Sequence, residues 1–419
     1  MSASARILLA LAVGAAIGLA LAFLDPVLAV RVADAVRPIG RLWLNALQMT
    51  IVPLVLALVV VSVTSASGAA ASGHTARRAI GVFLVLLSAS ALFSAFAAPA
   101  LLSFFTPDPE MVAALGANEA VATGAAGAPS WGDTLVAIVP ANAIAAAAQT
   151  AMLPLVVFAL FLGFALTRIE AARRALVVDF FQALADAMIV IVGWVLLVAP
   201  LGVFALVLEV CARAGLGVVS ALGIYIVLAC TMYVATTLLL LPVAMFWGGE
   251  PIRRFALAIA PAQAVAASTQ SSLASLPAML EAASKRLGHR PEVAALVLPL
   301  AVSLFRITSP VLYMTAAAFI AWSHAIEPSA AQLVLAAALA VVVSLGSVGL
   351  PGTVSFMATT VPVTQALGLP VAPLALLMAV DTIPDAFATV GNVTADLTAT
   401  AIVSKGARDA PAEESRPAD

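Results

Sequence analysis

Apolar residues run in long blocks through the first 250 positions, separated by short polar connections, and the pattern changes after residue 251. The blocks cover approximately 6–24, 42–64, 79–105, 134–167, 174–211 and 216–248. A membrane helix needs about 20 apolar residues at about 1.5 Å of rise each, so every block is long enough to cross a bilayer. The pattern predicts six membrane helices over 1–250. The fourth and fifth blocks are too long for one straight crossing and must tilt or break, with Pro154 and Pro200 as the break points. The segment 106–133 is rich in small and acidic residues and reads as a flexible surface loop, and 406–419 reads as a disordered tail. The apolar run after Arg6 is long for a signal peptide and is read as a retained first helix.

Beyond residue 251 the blocks are interrupted by polar and small residues. SSLASLP at 271–277 and LGSVGLP at 345–351 share a spacing of small polar residues before Leu-Pro, and each is followed by a helix carrying polar groups. Ser, Gly and Pro free backbone groups from helical bonding, which membrane depth tolerates only where protein or a water-filled cavity satisfies them. Paired interruptions of this kind point to a transporter's binding site, whereas small residues at helix contacts with a Pro kink are the plainer reading of either one alone. The expectation is two re-entrant helical hairpins, over 251–285 and 331–365.

The last block, DTIPDAFATVGNVTADLTATAIVSK at 381–405, is apolar enough to span yet holds Asp381, Asp385, Asn392 and Asp396. At about 100° per residue, Asp385, Thr389, Asn392 and Asp396 fall on one stripe, and Asp381 joins them from one turn away. Each carboxylate costs roughly 2.5–3.5 kcal/mol at a helix centre, so the stripe implies cations, an ammonium substrate or protons to pair with it. Inter-helix hydrogen bonding without a ligand is the alternative.

Composition agrees with a polytopic all-α membrane protein. Of 419 residues, 63% are hydrophobic and 10% charged, against about 45–50% and about 25% in soluble domains. The net charge of -2 and the lack of a basic face exclude nucleic acid as a partner. Cys211 and Cys230 have no metal-ligand spacing. His74, His289 and His324 all fall in polar connections, so no buried imidazole is expected for catalysis. With eight crossings, two re-entrant hairpins and the N-terminus inside, fourteen of the nineteen Lys and Arg fall on the inner side. Arg31, Arg37, Arg41 and Arg213 fall outside and Arg306 alone stays within the membrane, an asymmetry that supports this topology with both termini cytoplasmic.

The chain resembles, nearly end to end, the glutamate transporter homologues, or dicarboxylate/amino acid:cation symporters. The likeness is carried by LNALQMTIVPLV at 44–55, IVPANAIAAAAQTAMLPLVVFALFLGFAL at 138–166, APLGVFAL at 199–206, STQSSLASLP at 268–277, LGSVGLPG at 345–352 and NVTADLTATAIVSK at 392–405. It implies a homotrimer in the plasma (inner) membrane, with a scaffold and a mobile transport domain that works as an elevator built on inverted repeats. Residues 1–250 would then supply the scaffold elements plus the third and sixth helices of the transport domain. Residues 251–405 would supply hairpin 1, the seventh helix, hairpin 2 and the eighth helix. The resemblance places Ser271, Ser272 and Asn392 against a substrate carboxylate, and Asp385 and Thr389 against its amino group. It adds Gln270, Ser309 and Gly349 to the substrate site. It also implies one cation site around Ser303, Ser344, Leu345 and Ser347, a second at Asn392 and Asp396, and Asp381 in support. No cofactor is implied beyond co-transported sodium or protons.

The seventh helix departs from that pattern. The family's Asn-Met-Asp-Gly-Thr signature aligns with Phe305, Arg306, Ile307, Thr308 and Ser309, so two principal cation ligands are lost, and the eighth-helix Arg that grips a distal carboxylate becomes Ala388. Arg306 is about fifteen residues from either end of its helix, beyond snorkelling reach, and must face the interior. Three readings stand: a tethered cation replacing a bound sodium, a substrate-binding group with the planar fork that suits a carboxylate, or a structural ion pair. Asp381, Asp385 and Asp396 against Arg306 leave the site one negative charge poorer than the family pattern, so fewer co-transported cations are expected.

The function expected is secondary active transport of amino acids or small (di)carboxylates with sodium or protons. Ala388 slightly favours a neutral amino acid over aspartate. A sodium-independent exchanger or facilitator, a membrane substrate sensor and an anion channel on the same fold are the alternatives. Nothing in the sequence resembles a filter ring, which counts against a channel. No His or Cys pair sits at membrane depth and the three Asp share one helix, which counts against an enzyme.

Overall fold

The computed structural model describes residues 3–71, 73–105, 136, 139–214, 217–346 and 352–409. Among the described residues there are helices and connections and no strand. In chain order the helices begin with α1 Ala3–Leu24, α2 Pro26–Gln48, α3 Ile51–Ala71, α4 His74–Leu102, α5 Ala143–Ala148, α6 Met152–Leu166, α7 Ala171–Leu197, α8 Ala199–Ala214 and α9 Gly217–Phe246. They continue with α10 Ile252–Thr269, α11 Ser272–Glu281, α12 Pro291–Leu304, α13 Thr308–Ser323, α14 Ala330–Gly346, α15 Gly352–Ala366, α16 Pro373–Val380 and α17 Thr382–Asp409. A π-helical turn, Ala282–Arg286, follows α11.

Six helical stretches among the described residues are long and apolar enough to cross a membrane, with three shorter apolar helices beside them. The distribution of polarity is inverted relative to a soluble protein. The apolar helix Ala171–Leu197 has 11% of its spanning window buried, whereas the polar-bearing Thr382–Gly406 has 83% buried. Leu176, Phe180, Trp194 and Leu197 are exposed on α7, while Asn392, Thr394, Asp396, Thr398 and Thr400 are sealed inside on α17. Exposed hydrocarbon and buried polar groups are what a hydrocarbon solvent selects. This is an all-α polytopic membrane protein.

The breaks follow local chemistry. Asp25 caps α2, its carboxylate accepting from the amides of Val27 and Leu28 at 3.1 and 3.0 Å, and Pro26 takes the first helical position, where no N–H is needed. Residues 26–41, passed over by the apolar-run reading, are therefore helical. Ala29, Ala33, Gly40 and Trp43 are buried at helical spacing, with the charged positions between them. In the fourth block the interruption falls at Gln149–Ala151, where Thr150 has φ of 53°, and Pro154 lies harmlessly in the first turn of α6. The fifth block breaks at Val198, beside Pro200 as expected.

The seventh span is not continuous. It stops after Leu304, with Phe305 extended at φ -125° and ψ 100°, and restarts at Thr308. Thr308-Ser309-Pro310 supplies the restart, since Pro in a first turn forfeits no bond. Over 251–285 the expected helical pair is present: α10 ends at Gln270 in the left-handed region, φ 51°, and Ser271 caps α11 by accepting from the Ala274 amide at 3.2 Å. Over 331–365, α14 and α15 form the second pair, but their connection at 347–351 lies outside the described residues, as do the loop 106–133 and residues 410–419. Helix α17 continues to Asp409, four residues into the stretch read as a tail.

The described chain forms two compact units. The first comprises residues 3–65, 91–232 and 309–385. In it, α1 lies close to α8 at Gly14 and Gly18, where a Cβ would come within 2.9 Å of the Phe204 carbonyl oxygen and 2.8 Å of that of Leu208. Trp43 Nε1 donates to the Val195 carbonyl at 3.1 Å. Buried Glu209 lies 3.5 Å from Arg37 and 3.8 Å from Arg213, and Arg213 also pairs with Asp34. The second unit comprises 66–90, 233–308 and 386 onward. Its core interleaves Phe255 and Ile259 of α10, Met279 of α11, Leu298 of α12 and Val393 and Leu397 of α17, all almost wholly buried.

Candidate functional site

The polar stripe of the last span lies on α17, as the helical spacing predicts. Thr389 and Asn392 are buried, Asp396 is fully buried, and Asp385 is half-buried one turn into the helix. Asp381 stands at the joint between α16 and α17, where its carbonyl accepts from the Asp385 amide at 2.9 Å.

Within the second unit the stripe meets the interruption of the seventh span. Asn392 Oδ1 accepts from the backbone N–H of Thr308 at 3.1 Å, supplying an acceptor to an amide that the helix restart leaves without one. Ser90 of α4 donates to the Ile307 carbonyl at 3.2 Å, so the other side of the break is also satisfied by protein. Phe83 stacks on Phe305 with centroids 4.7 Å apart and planes 6° from parallel. Gly391 permits the close approach of α17 to Thr308, because a Cβ there would lie 2.7 Å from Thr308 Cγ2.

Asp396 is the strongest local demand in this unit. Both carboxylate oxygens are sealed from solvent and accept no hydrogen bond. A buried carboxylate in that state is costly unless a positive charge compensates it. Arg306, in the break, is the charged residue two positions before Thr308, whose amide meets Asn392 one turn along α17 from Asp396. On the other flank, Gln263 of α10 donates to Thr394 Oγ1 at 2.8 Å, tying the first helical pair to α17.

Of the sequence-derived site residues, the second unit holds Gln270, Ser271, Ser272, Ser303, Arg306, Thr389, Asn392 and Asp396. At the tip of the first pair Gln270 is exposed and Ser271 and Ser272 are half-buried, while Ser303 is exposed in the last turn of α12. Ser309, Ser344, Leu345, Asp381 and Asp385 belong to the first unit. Ser344 is buried and donates to the Val341 carbonyl at 2.7 Å. Ser347 and Gly349 lie outside the described residues.

Sequence reasoning missed three contributors. Ser90 and Gln263 sit in apolar helices with nothing in their spacing to mark them. His289 contradicts the expectation that no imidazole is buried: its Nε2 lies 3.1 Å from Glu250 Oε1, and both side chains are almost wholly buried. The connection after α11 folds inward there, and Arg254 binds the Leu287 carbonyl at 2.9 Å beside it. This pairing joins the two ends of the first helical pair.

The chain is similar to several known transporters. It is 26% identical over 385 residues to the "Proton/glutamate-aspartate symporter" of Escherichia coli (strain K12), covering 89% of this chain and 86% of that protein. It is 27% identical over 380 residues to "C4-dicarboxylate transport protein 2" of Polaromonas naphthalenivorans (strain CJ2), covering 89% and 83%. With the human "Neutral amino acid transporter A" it shares 31% over 249 residues, 58% of this chain and 46% of that protein. The model of the Sodium:dicarboxylate symporter family matches residues 3–406. With the stripe on α17, the interrupted seventh span and the helical pair before it in one sequence, the chain belongs to the Sodium:dicarboxylate symporter family.

Proposed function

We propose that this protein is a secondary active transporter that moves amino acids or small (di)carboxylates across the plasma membrane together with sodium or protons. The observation that carries the reading is the buried polar stripe of α17, with Asp396 sealed beside the break of the seventh span, in a chain of a symporter family. Charged groups at membrane depth on a transporter fold serve a travelling solute and its counter-charges. The names of the relatives support both acidic and neutral substrates.

In this reading Ser271, Ser272 and the amide N–H groups of Asn392 bind the substrate carboxylate, for which hydroxyl and amide donors are suited. Asp385 and Thr389 take an amino group, and Gln270, Ser309 and Gly349 line the same site. Ser303, Ser344, Leu345 and Ser347 contribute to one cation position and Asn392 with Asp396 to another, with Asp381 in support. Each of the two helical pairs enters and leaves the membrane on the same face. A homotrimer carries three such cores on a scaffold, each moving as an elevator with both termini in the cytoplasm.

Uptake into liposomes tests it. Purified protein should accumulate labelled alanine, aspartate or succinate when a sodium or proton gradient is imposed. Exchange that ignores both gradients would make it an exchanger or facilitator, which the hydrocarbon side chains of Phe305 and Ile307 at the break favour as the second reading. No flux of any of the three would overturn transport.

A further inference from the structure

We propose that Arg306 is a built-in counter-charge for Asp396, so that the core of the second unit forms and binds its substrate without taking sodium at Asp396. The inference rests on the transport reading and specifies which ions that site takes.

The first ground is the carboxylate. Asp396 is fully buried with neither oxygen accepting a hydrogen bond, so its ionised form needs a cation from somewhere. The second is the position of Arg306. It sits in the non-helical residues between α12 and α13, in the same unit, two residues before Thr308, whose amide donates to Asn392, one turn from Asp396 on α17. A guanidinium keeps its charge under all physiological conditions and cannot dissociate from the chain, so it offers the same compensation in every state of the cycle.

The third ground is how the break is closed. A hard cation such as sodium calls for several oxygen ligands. At this break the Ile307 carbonyl accepts from Ser90, the Thr308 amide is taken by Asn392, and Phe305 stacks on Phe83. The side chains at 305 and 307 are hydrocarbon. Protein groups meet the Ile307 carbonyl and the Thr308 amide, and the side chains of Phe305 and Ile307 add no oxygen ligand.

Sodium itself is the probe. The full-length protein in detergent is unfolded by heat in sodium chloride and in choline chloride of equal ionic strength. Any wild-type difference between the two salts comes from the other cation position and should be unchanged by Asp396→Asn. Arg306→Met should acquire an added sodium-specific rise of several degrees, because a ligand that binds only the folded state raises its stability. Adding Asp396→Asn to Arg306→Met should abolish that added rise, and Arg306→Lys, which keeps a charge, should respond to sodium as the wild type does. A wild-type midpoint raised by sodium and reset by Asp396→Asn overturns the proposal, whether or not Arg306→Met folds. So does a folded Arg306→Met with no sodium response beyond the wild type's, the result expected if Arg306 instead grips a substrate carboxylate. The melts read cation binding alone, so a failure of transport would show only in the liposome fluxes.

Discussion

The backbone N–H of Thr308 donates to Asn392 Oδ1 at 3.1 Å, and both residues are buried. The bond joins the restart of the seventh span to the polar stripe of the last helix. Asn392→Leu removes the side-chain acceptor of that amide and leaves a buried donor unsatisfied, at about 1–3 kcal/mol. Denaturant unfolding in detergent should show the loss even in the absence of substrate. An unchanged midpoint would mean that the break does not depend on the stripe.

Gly391 makes the same junction sterically tight. A Cβ at this position would lie 2.7 Å from Thr308 Cγ2 and 3.0 Å from Thr237 Oγ1. Gly391→Ala gains up to about 1 kcal/mol in helix propensity but forces the contact apart at about 1–3 kcal/mol, so the overpacking should win. Thr308→Ser removes the offending methyl. The double variant should therefore recover about 1 kcal/mol relative to the sum of the two single effects, as residues in contact couple. Strict additivity in the unfolding free energies would argue that α17 and the restart are not packed as described.

His289 and Glu250 give a third test, away from the stripe. With Nε2 3.1 Å from Oε1 and both side chains buried, His289→Leu leaves Glu250 with Arg254 at 4.0 Å as its remaining cation. Breaking a buried pair from one side costs about 3–5 kcal/mol, whereas replacing both partners by apolar residues often costs little. Glu250→Leu with His289→Leu should be more stable than His289→Leu alone. If the double variant is the less stable of the two, the pair contributes through something other than mutual compensation.

The stripe of α17 was legible in the sequence because polar groups at helical spacing in an apolar run have few structural uses, and the structure puts Thr389, Asn392 and Asp396 inside. The first helical pair was legible in the small polar residues of SSLASLP before Leu-Pro, where the structure has Ser271 capping α11 after a left-handed Gln270. Helix α2 was missed because a search for continuous apolarity passes over a helix whose buried positions, Ala29, Ala33, Gly40 and Trp43, recur among charges. The break at Phe305–Ile307 did leave a trace in Thr308-Ser309-Pro310, a hydroxyl-rich start with Pro in the first turn. The apolar residues on both sides masked it. The burial of His289 left none, since a short polar connection reads the same whether it faces water or folds beneath a helix. Ser90 and Gln263 are invisible for the opposite reason: single polar residues in apolar helices are common, and only a distant partner distinguishes these two.

Ala388, which is 7% exposed on α17 one residue before Thr389, is where the proposed substrate preference can be tested. Where the family resemblance places an Arg for a distal carboxylate, this chain has a methyl group, so a second negative charge on the substrate meets no partner from this position. Ala388→Arg would provide a planar fork suited to bidentate carboxylate binding. The expected result is a rise of at least tenfold in the ratio of aspartate to alanine uptake, equivalent to about 1.4 kcal/mol of differential binding. Ala388→Met, similar in length but uncharged, separates charge from bulk and should depress uptake of both without changing their ratio. Competition of the two amino acids in one liposome preparation reads the ratio directly, independent of how much protein is active. If Ala388→Arg and Ala388→Met shift it equally, the position does not face the substrate, and selectivity must then come from elsewhere on the stripe or from Arg306.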